Sequence, residues 1–178
     1  DVSDCPSLRL LPSIGKADTI KSLGIKNCGK LLFPMHQCYA SLERFCIDVS
    51  ILVSFPLELF PKLNHLDIHG CQNLHSFSFS NRGPLQHLLS LRSLKITKCS
   101  NFVSLSKEEL HAPNLTRFCV YNCNYLKKLP DQMHTLFPSL QTLSIRCCPE
   151  LESFPGGLPS SLNSLDIRSS DKLIVGSM

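Results

Sequence analysis

The chain has 178 residues, 43% of them hydrophobic and 18% charged, with a formal net charge of +4. That length permits one domain with a sizeable core, while so few charges argue against a chain devoted to gripping a phosphate backbone, so nucleic acid is not an expected partner. No apolar run approaches the roughly 18–20 residues of a membrane span, and Asp1-Val2-Ser3-Asp4 has neither the basic flank nor the apolar stretch of a signal peptide.

Taken in chain order, residues 1–12 read as half of a repeat. Cys5-Pro6-Ser7-Leu8-Arg9-Leu10-Leu11-Pro12 matches Cys148-Pro149-Glu150-Leu151-Glu152-Ser153-Phe154-Pro155 much later. The chain is therefore expected to open inside a strand. A full template follows: an apolar residue, two variable, an apolar, one variable, Ile or Val, two variable, then Cys or Ser. It returns seven times, over 20–28 (Ile20-Leu23-Ile25-Cys28), 42–50 (Leu42-Phe45-Ile47-Ser50), 63–71 (Leu63-Leu66-Ile68-Cys71) and 91–99 (Leu91-Leu94-Ile96-Cys99). Three more copies lie at 115–123 (Leu115-Phe118-Val120-Cys123), 140–148 (Leu140-Leu143-Ile145-Cys148) and 162–170 (Leu162-Leu165-Ile167-Ser170). Their starts are 22, 21, 28, 24, 25 and 22 residues apart, within the span of leucine-rich repeats.

Alternation at each centre, as in His65-Leu66-Asp67-Ile68-His69, sets apolar side chains on one face of a short strand and polar ones on the other. One such strand cannot bury its face, but stacked coils can, with Leu on Leu and Ile on Ile. The fold class is therefore α/β: a curved right-handed leucine-rich-repeat solenoid spanning 1–178 and truncated at both ends, with a parallel sheet on its concave face. Apolar residues three and six after the ladder position, as in Cys123-Leu126-Leu129-Pro130, should fill the far side. Prolines two residues before a template, as in Pro61-Lys62-Leu63 and Pro113-Asn114-Leu115, favour an extended start. The convex segments are short, which predicts turns and single helical turns. Longer departures are Leu85-Leu88-Leu89, with helical spacing, and Ser106-Lys107-Glu108-Glu109-Leu110, which resembles a capping box. The second repeat departs too, with Ser50 for Cys and a shortened turn before Phe55-Pro56.

The ten cysteines follow the repeat. Cys5, Cys28, Cys71, Cys99, Cys123 and Cys148 share one template position, where a small, largely apolar side chain with a weak donor can satisfy a nearby carbonyl. Parallel Cβ vectors disfavour bridging between them. A metal reading can be built from Cys46, His65, Asp67 and His69, but zinc spacing is absent. Asn114-Leu115-Thr116 is formally a glycosylation sequon, with its middle residue in the core. Gly15-Lys16 has no glycine-rich loop before it, and no supported nucleophile motif occurs. The chain is not expected to be an enzyme, nor to hold a cofactor or metal.

What varies is the outward side of the strands, in three columns. The first contributes Arg44, His65 and Arg117 as candidate partner contacts, the second Asp67, Lys95, Cys119, Ser144 and Asp166, and the third His69, Tyr121, Arg146 and Arg168. Lys95, Arg117, Tyr121, Arg146 and Arg168 give the later half a basic character suited to an acidic protein surface. Tyr121 and Arg117 are the candidate anchors, because Tyr and Arg are frequent hot spots.

The template, and above all Ser139-Leu140-Gln141-Thr142-Leu143-Ser144-Ile145-Arg146-Cys147-Cys148-Pro149-Glu150-Leu151-Glu152-Ser153-Phe154-Pro155, resembles the C-terminal leucine-rich repeats of plant nucleotide-binding, leucine-rich-repeat disease-resistance proteins of the coiled-coil class. The resemblance implies a cytoplasmic or nuclear receptor whose repeats sense a pathogen effector, directly or through a guarded host protein, and help hold a nucleotide-binding domain off. ADP or ATP is then expected only in an upstream domain outside these residues. Substrate-recognition repeats of an F-box ubiquitin-ligase subunit and an extracellular repeat inhibitor or receptor are the competing readings. The second lacks its usual Gly-x-Ile-Pro turn here.

Overall fold

The computed structural model describes residues 1–10, 19–32, 38–50, 52–78, 88–105, 110–152, 157–170 and 172–173. Eight strands form one parallel sheet, stacked in the order β1 (Val2–Ser3), β2 (Ser22–Lys26), β3 (Arg44–Ile47), β5 (His65–His69), β7 (Ser93–Thr97), β8 (Arg117–Tyr121), β9 (Thr142–Arg146) and β10 (Ser164–Arg168). Each template strand begins two residues into its predicted span. The register is the one that the columns require: Leu66 pairs with Phe45 and Leu94, and Ile68 with Ile47 and Ile96. This is a leucine-rich-repeat solenoid.

Between β3 and β5 lies β4 (Ser54–Pro56), and after β5 comes β6 (Ser76–Ser78); these pair in a second, two-stranded parallel sheet. The described residues also include two single turns, a 3-10 turn at Leu57–Leu59 and α1 at Met133–Leu136, of the kind the short convex segments predicted. Both predicted longer departures involve residues outside those described, as do Gly15-Lys16 and the Ser153-Phe154-Pro155 end of the most specific motif.

The core is one continuous column system, with Ile25, Ile47, Ile68, Ile96, Val120 and Ile145 all buried. Beside it runs a chain of rings: Tyr39 stacks on Phe60 at 5.1 Å, Phe60 on Phe55 at 5.1 Å, and Phe77 meets Phe102 edge-on at 5.8 Å. Burying each such side chain contributes about 1.5–3 kcal/mol, and the contributions are shared between neighbouring coils, as expected of a solenoid.

The cysteine ladder acts as its chemistry suggests. Cys28, Cys71, Cys123 and Cys148 are buried, each thiol turned to the carbonyl two residues back and to a carbonyl of the preceding strand. Cys123, for example, reaches the Tyr121 carbonyl at 3.6 Å and that of Ile96 at 4.0 Å. Ser170 donates to the Arg168 carbonyl at 3.3 Å in the same way.

Just before the ladder position the chain turns left-handed. Asp4, Asn27, Gly70, Lys98, Asn122, Cys147 and Ser169 all have φ between 50° and 65°. The N–H of the left-handed residue itself bonds the following coil: Gly70 donates to the Thr97 carbonyl and Lys98 to that of Tyr121, each at 2.9 Å.

The second repeat is the exception, and the placement of Ser50 on the ladder needs correcting. Leu52 N–H bonds the Val49 carbonyl just as Leu31 bonds Cys28 and Leu74 bonds Cys71, so Val49, which is buried, occupies the ladder position. One residue is missing there: β3 has four residues, and the left-handed step is absent because no residue remains to make it. Ser50 stands instead beside Gly29, whose carbonyl it reaches at 3.4 Å. Asn114, the sequon residue, gives its side-chain amide to the Leu89 carbonyl at 2.7 Å.

Candidate functional site

The outward columns lie side by side as read. Arg44, His65, Ser93 and Arg117 are consecutive partners, as are Cys46, Asp67, Lys95, Cys119, Ser144 and Asp166, and then His69, Thr97, Tyr121, Arg146 and Arg168. Arg44, His65, Arg117 and Arg168 are exposed, while Asp67, His69, Lys95, Tyr121, Arg146 and Asp166 are partly so.

Two candidate contacts are not free surface. Cys119 and Ser144 are only 6% and 5% exposed. The column alternation correctly points them out of the core, but larger neighbours fold over them. Tyr121 approaches both, Ser144 Oγ reaches Asp166 at 3.4 Å, and the Arg146 guanidinium lies 5.4 Å from the Tyr121 ring centroid. A partner meets these two residues only through the cluster above them.

That cluster also tempers the basic character of the later half. Asp166 accepts from Arg146 Nε at 2.8 Å and from Arg168 Nε at 2.8 Å, so one carboxylate serves two guanidiniums. Hydrogen bonding from Arg146, the largest effect, helped by that from Arg168, holds the Asp166 carboxyl below the usual carboxylate range, and burial, second in size, opposes it. Burial first, then the Cys119 thiol, pushes the Tyr121 phenol up. Lys95 is committed too, at 3.1 Å from Asp67.

In the earlier half the face holds a hollow of about 270 Å³ between Arg44, Cys46, His65, Asp67 and Lys95. Burial and then Asp67 raise the Cys46 thiol, making it a poor ligand or nucleophile near neutrality. Among the described residues no group of three or more His, Cys, Asp or Glu side chains converges as metal ligands would.

A fourth polar column escaped the sequence reading. Lys21, Glu43, Asn64, Arg92, Thr116, Gln141 and Asn163 are joined along the stack by backbone bonds of 2.8–3.0 Å. They stand one residue before the strands, yet Arg92 and Arg44 are near enough to His65 to lower its pKa after the larger effect of burial. The signal was present, because the residue after each template start is polar in every copy.

Curated relatives cover most of the chain. The chain is 38% identical over 175 residues, 95% of its length, to an Arabidopsis thaliana protein named for disease resistance, and 36% identical over 137 residues, 72% of its length, to an RPP13-like disease resistance protein of the same plant. The chain belongs with the leucine-rich repeats of plant disease resistance proteins. It spans about one eighth of those relatives, 12% of each. No family model matches it, and no solved structure does. As a resistance-protein repeat segment it offers a solenoid surface of the protein-interaction kind, and among the described residues no helix is long and apolar enough to cross a membrane.

Proposed function

We propose that this segment is the protein-recognition arm of an intracellular, nucleotide-binding plant immune receptor. In this reading its concave face senses a pathogen effector or a guarded host protein and contacts the receptor's own nucleotide-binding domain to restrain it. The observation that carries the reading is a constant buried scaffold, repeated coil after coil, that presents polar columns whose residues change from coil to coil, Arg146 and Arg168 excepted. Such a surface can be respecified without disturbing the core. The relatives named for disease resistance support the defence role. The segment itself performs no catalysis and binds no nucleotide; ADP or ATP belongs to an upstream domain, and the receptor works in the cytoplasm or nucleus.

Arg117 and Tyr121 remain the best single anchors. Arg117 is exposed with no ion-pair partner among the described residues, and Tyr121 is held in place by Arg146. A full-length protein carrying Arg117→Glu and Tyr121→Ala should accumulate normally and lose its pathogen-triggered response, or lose restraint and signal without a pathogen. An unchanged response would refute the reading.

A further inference from the structure

The unpaired cations of this face gather at one edge. Arg44 on β3, Arg92 just before β7 and Arg117 on β8 are all exposed, and among the described residues none of the three has an ion-pair partner. His65 on β5, also exposed, stands between them. By contrast Asp67 and Asp166 are taken by Lys95, Arg146 and Arg168, and Glu43, the nearby carboxylate of the edge column, sits 3.4 Å from Lys21. Positive charge on this edge is therefore uncompensated across four consecutive strands.

We propose that the strand-start edge built by Arg44, His65, Arg92 and Arg117 docks an extended acidic segment of a partner protein. This rests on the recognition role proposed above and gives that partner a chemistry. Three strand intervals of about 4.8 Å make the row about 14 Å long. An extended chain rises about 3.4 Å per residue, so carboxylates on three alternate residues also span about 14 Å. Guanidiniums suit such a ligand because their planar fork takes carboxylates bidentately. A nucleic acid fits less well: Tyr121, the aromatic on this face, is already covered by Arg146 and offers no open ring for a base to stack on.

His65 gives the row a pH signature. The hollow that His65 lines also holds Asp1, Lys26, Arg44, Cys46, Asp67 and Lys95, while Asn64 bonds its ring and Arg92 stands close by. Burial and the two arginines lower its pKa, so it is neutral near pH 7 in the free chain. A bound carboxylate favours the imidazolium, so docking takes up a proton and tightens as pH falls towards the lowered value of the free chain.

The test uses the full chain and a fluorescein-labelled Gly-Glu-Gly-Glu-Gly-Glu-Gly peptide, followed by anisotropy. The peptide should bind more tightly at pH 6 than at pH 8, and its Glu-to-Gln counterpart should not bind. Arg44→Ala with Arg117→Ala should weaken it about tenfold or more, His65→Gln should bind with the pH dependence removed, and Lys127→Ala, at an exposed cation outside the strands, should change nothing. The proposal falls if the double variant binds as the parent does, if Lys127→Ala weakens binding equally, or if a thymidine oligonucleotide binds more tightly than the peptide. Failure here, with the Arg117→Glu/Tyr121→Ala receptor still losing its response, would remove the acidic row and leave protein recognition standing.

Discussion

The left-handed step before the ladder position makes opposite predictions for two residues at the same place in the repeat. Gly70 has φ +65°, and a Cβ added there would lie 2.6 Å from Asp48 Oδ1. Alanine in that conformation costs roughly 1–2 kcal/mol, partly offset by about 0.4–1 kcal/mol from a less flexible unfolded chain. The contact with Asp48 adds to the cost until that side chain rotates away. Gly70→Ala should therefore destabilise by about 1 kcal/mol net, and less in an Asp48→Ala background. Lys98 has φ 54° and an exposed side chain, so Lys98→Gly relieves the same strain and should stabilise by about 0.5–1 kcal/mol. Urea unfolding followed by circular dichroism resolves both, since 1 kcal/mol moves the midpoint by roughly 0.3–1 M at the usual slopes. A midpoint that rises in Gly70→Ala, or falls in Lys98→Gly, would refute the account of the turn.

Thiol reactivity should divide the cysteines sharply. Exposed Cys38 and Cys147 should react with a disulfide reagent in the folded chain, while the buried ladder thiols wait for unfolding. Burial pushes Cys123 up to about 12, against an ordinary thiol near 9.0, which leaves roughly a thousandfold fewer thiolates at neutral pH. Mass-mapped labelling that found Cys123 modified as fast as Cys147 would contradict the buried ladder. Asp166 supplies a pH test. Its folded pKa is depressed, so its contribution is complete above the unfolded value near 3.8 and is lost as pH falls through the lower folded value. Asp166→Asn should thus lower the urea midpoint at pH 6, with the difference fading at strongly acid pH; a constant difference would assign the effect to packing rather than charge.

The scaffold was legible because its signal is repeated. Seven copies of one apolar spacing marked strand position and register, and the seven strands they announce each fall inside their template, whereas β4 and β6 lie between templates and carried no such signal. The ladder position could be read only while the copies agreed. Where the second repeat drops a residue, the template still landed on a small polar side chain, Ser50, and only the bond from Leu52 to Val49 shows which residue turns the coil. The left-handed step was half visible: Asp4, Asn27, Gly70 and Asn122 are residue types that tolerate it, whereas Lys98, Cys147 and Ser169 carry no such mark, and Lys98 and Cys147 are held there by their bonds to the next coil.

The functional surface was less legible for a different reason. Alternation says which way a residue leaves the backbone, but whether it reaches solvent depends on the size and charge of its neighbours on adjacent coils. Cys119 and Ser144 point outward and are covered; Arg92, one residue outside the strand, reaches the face. Ion pairing between strands then decides which charges are spent and which remain. By that measure Arg146 and Arg168, which made the later half look basic, share the one carboxylate of Asp166, whereas Arg44, Arg92 and Arg117 at the strand starts have no ion-pair partner among the described residues. The surface a partner can read is therefore set by neighbours 20–28 residues away in sequence, the distance at which the cross-coil pairs of Lys95, Ser144 and Arg146 form.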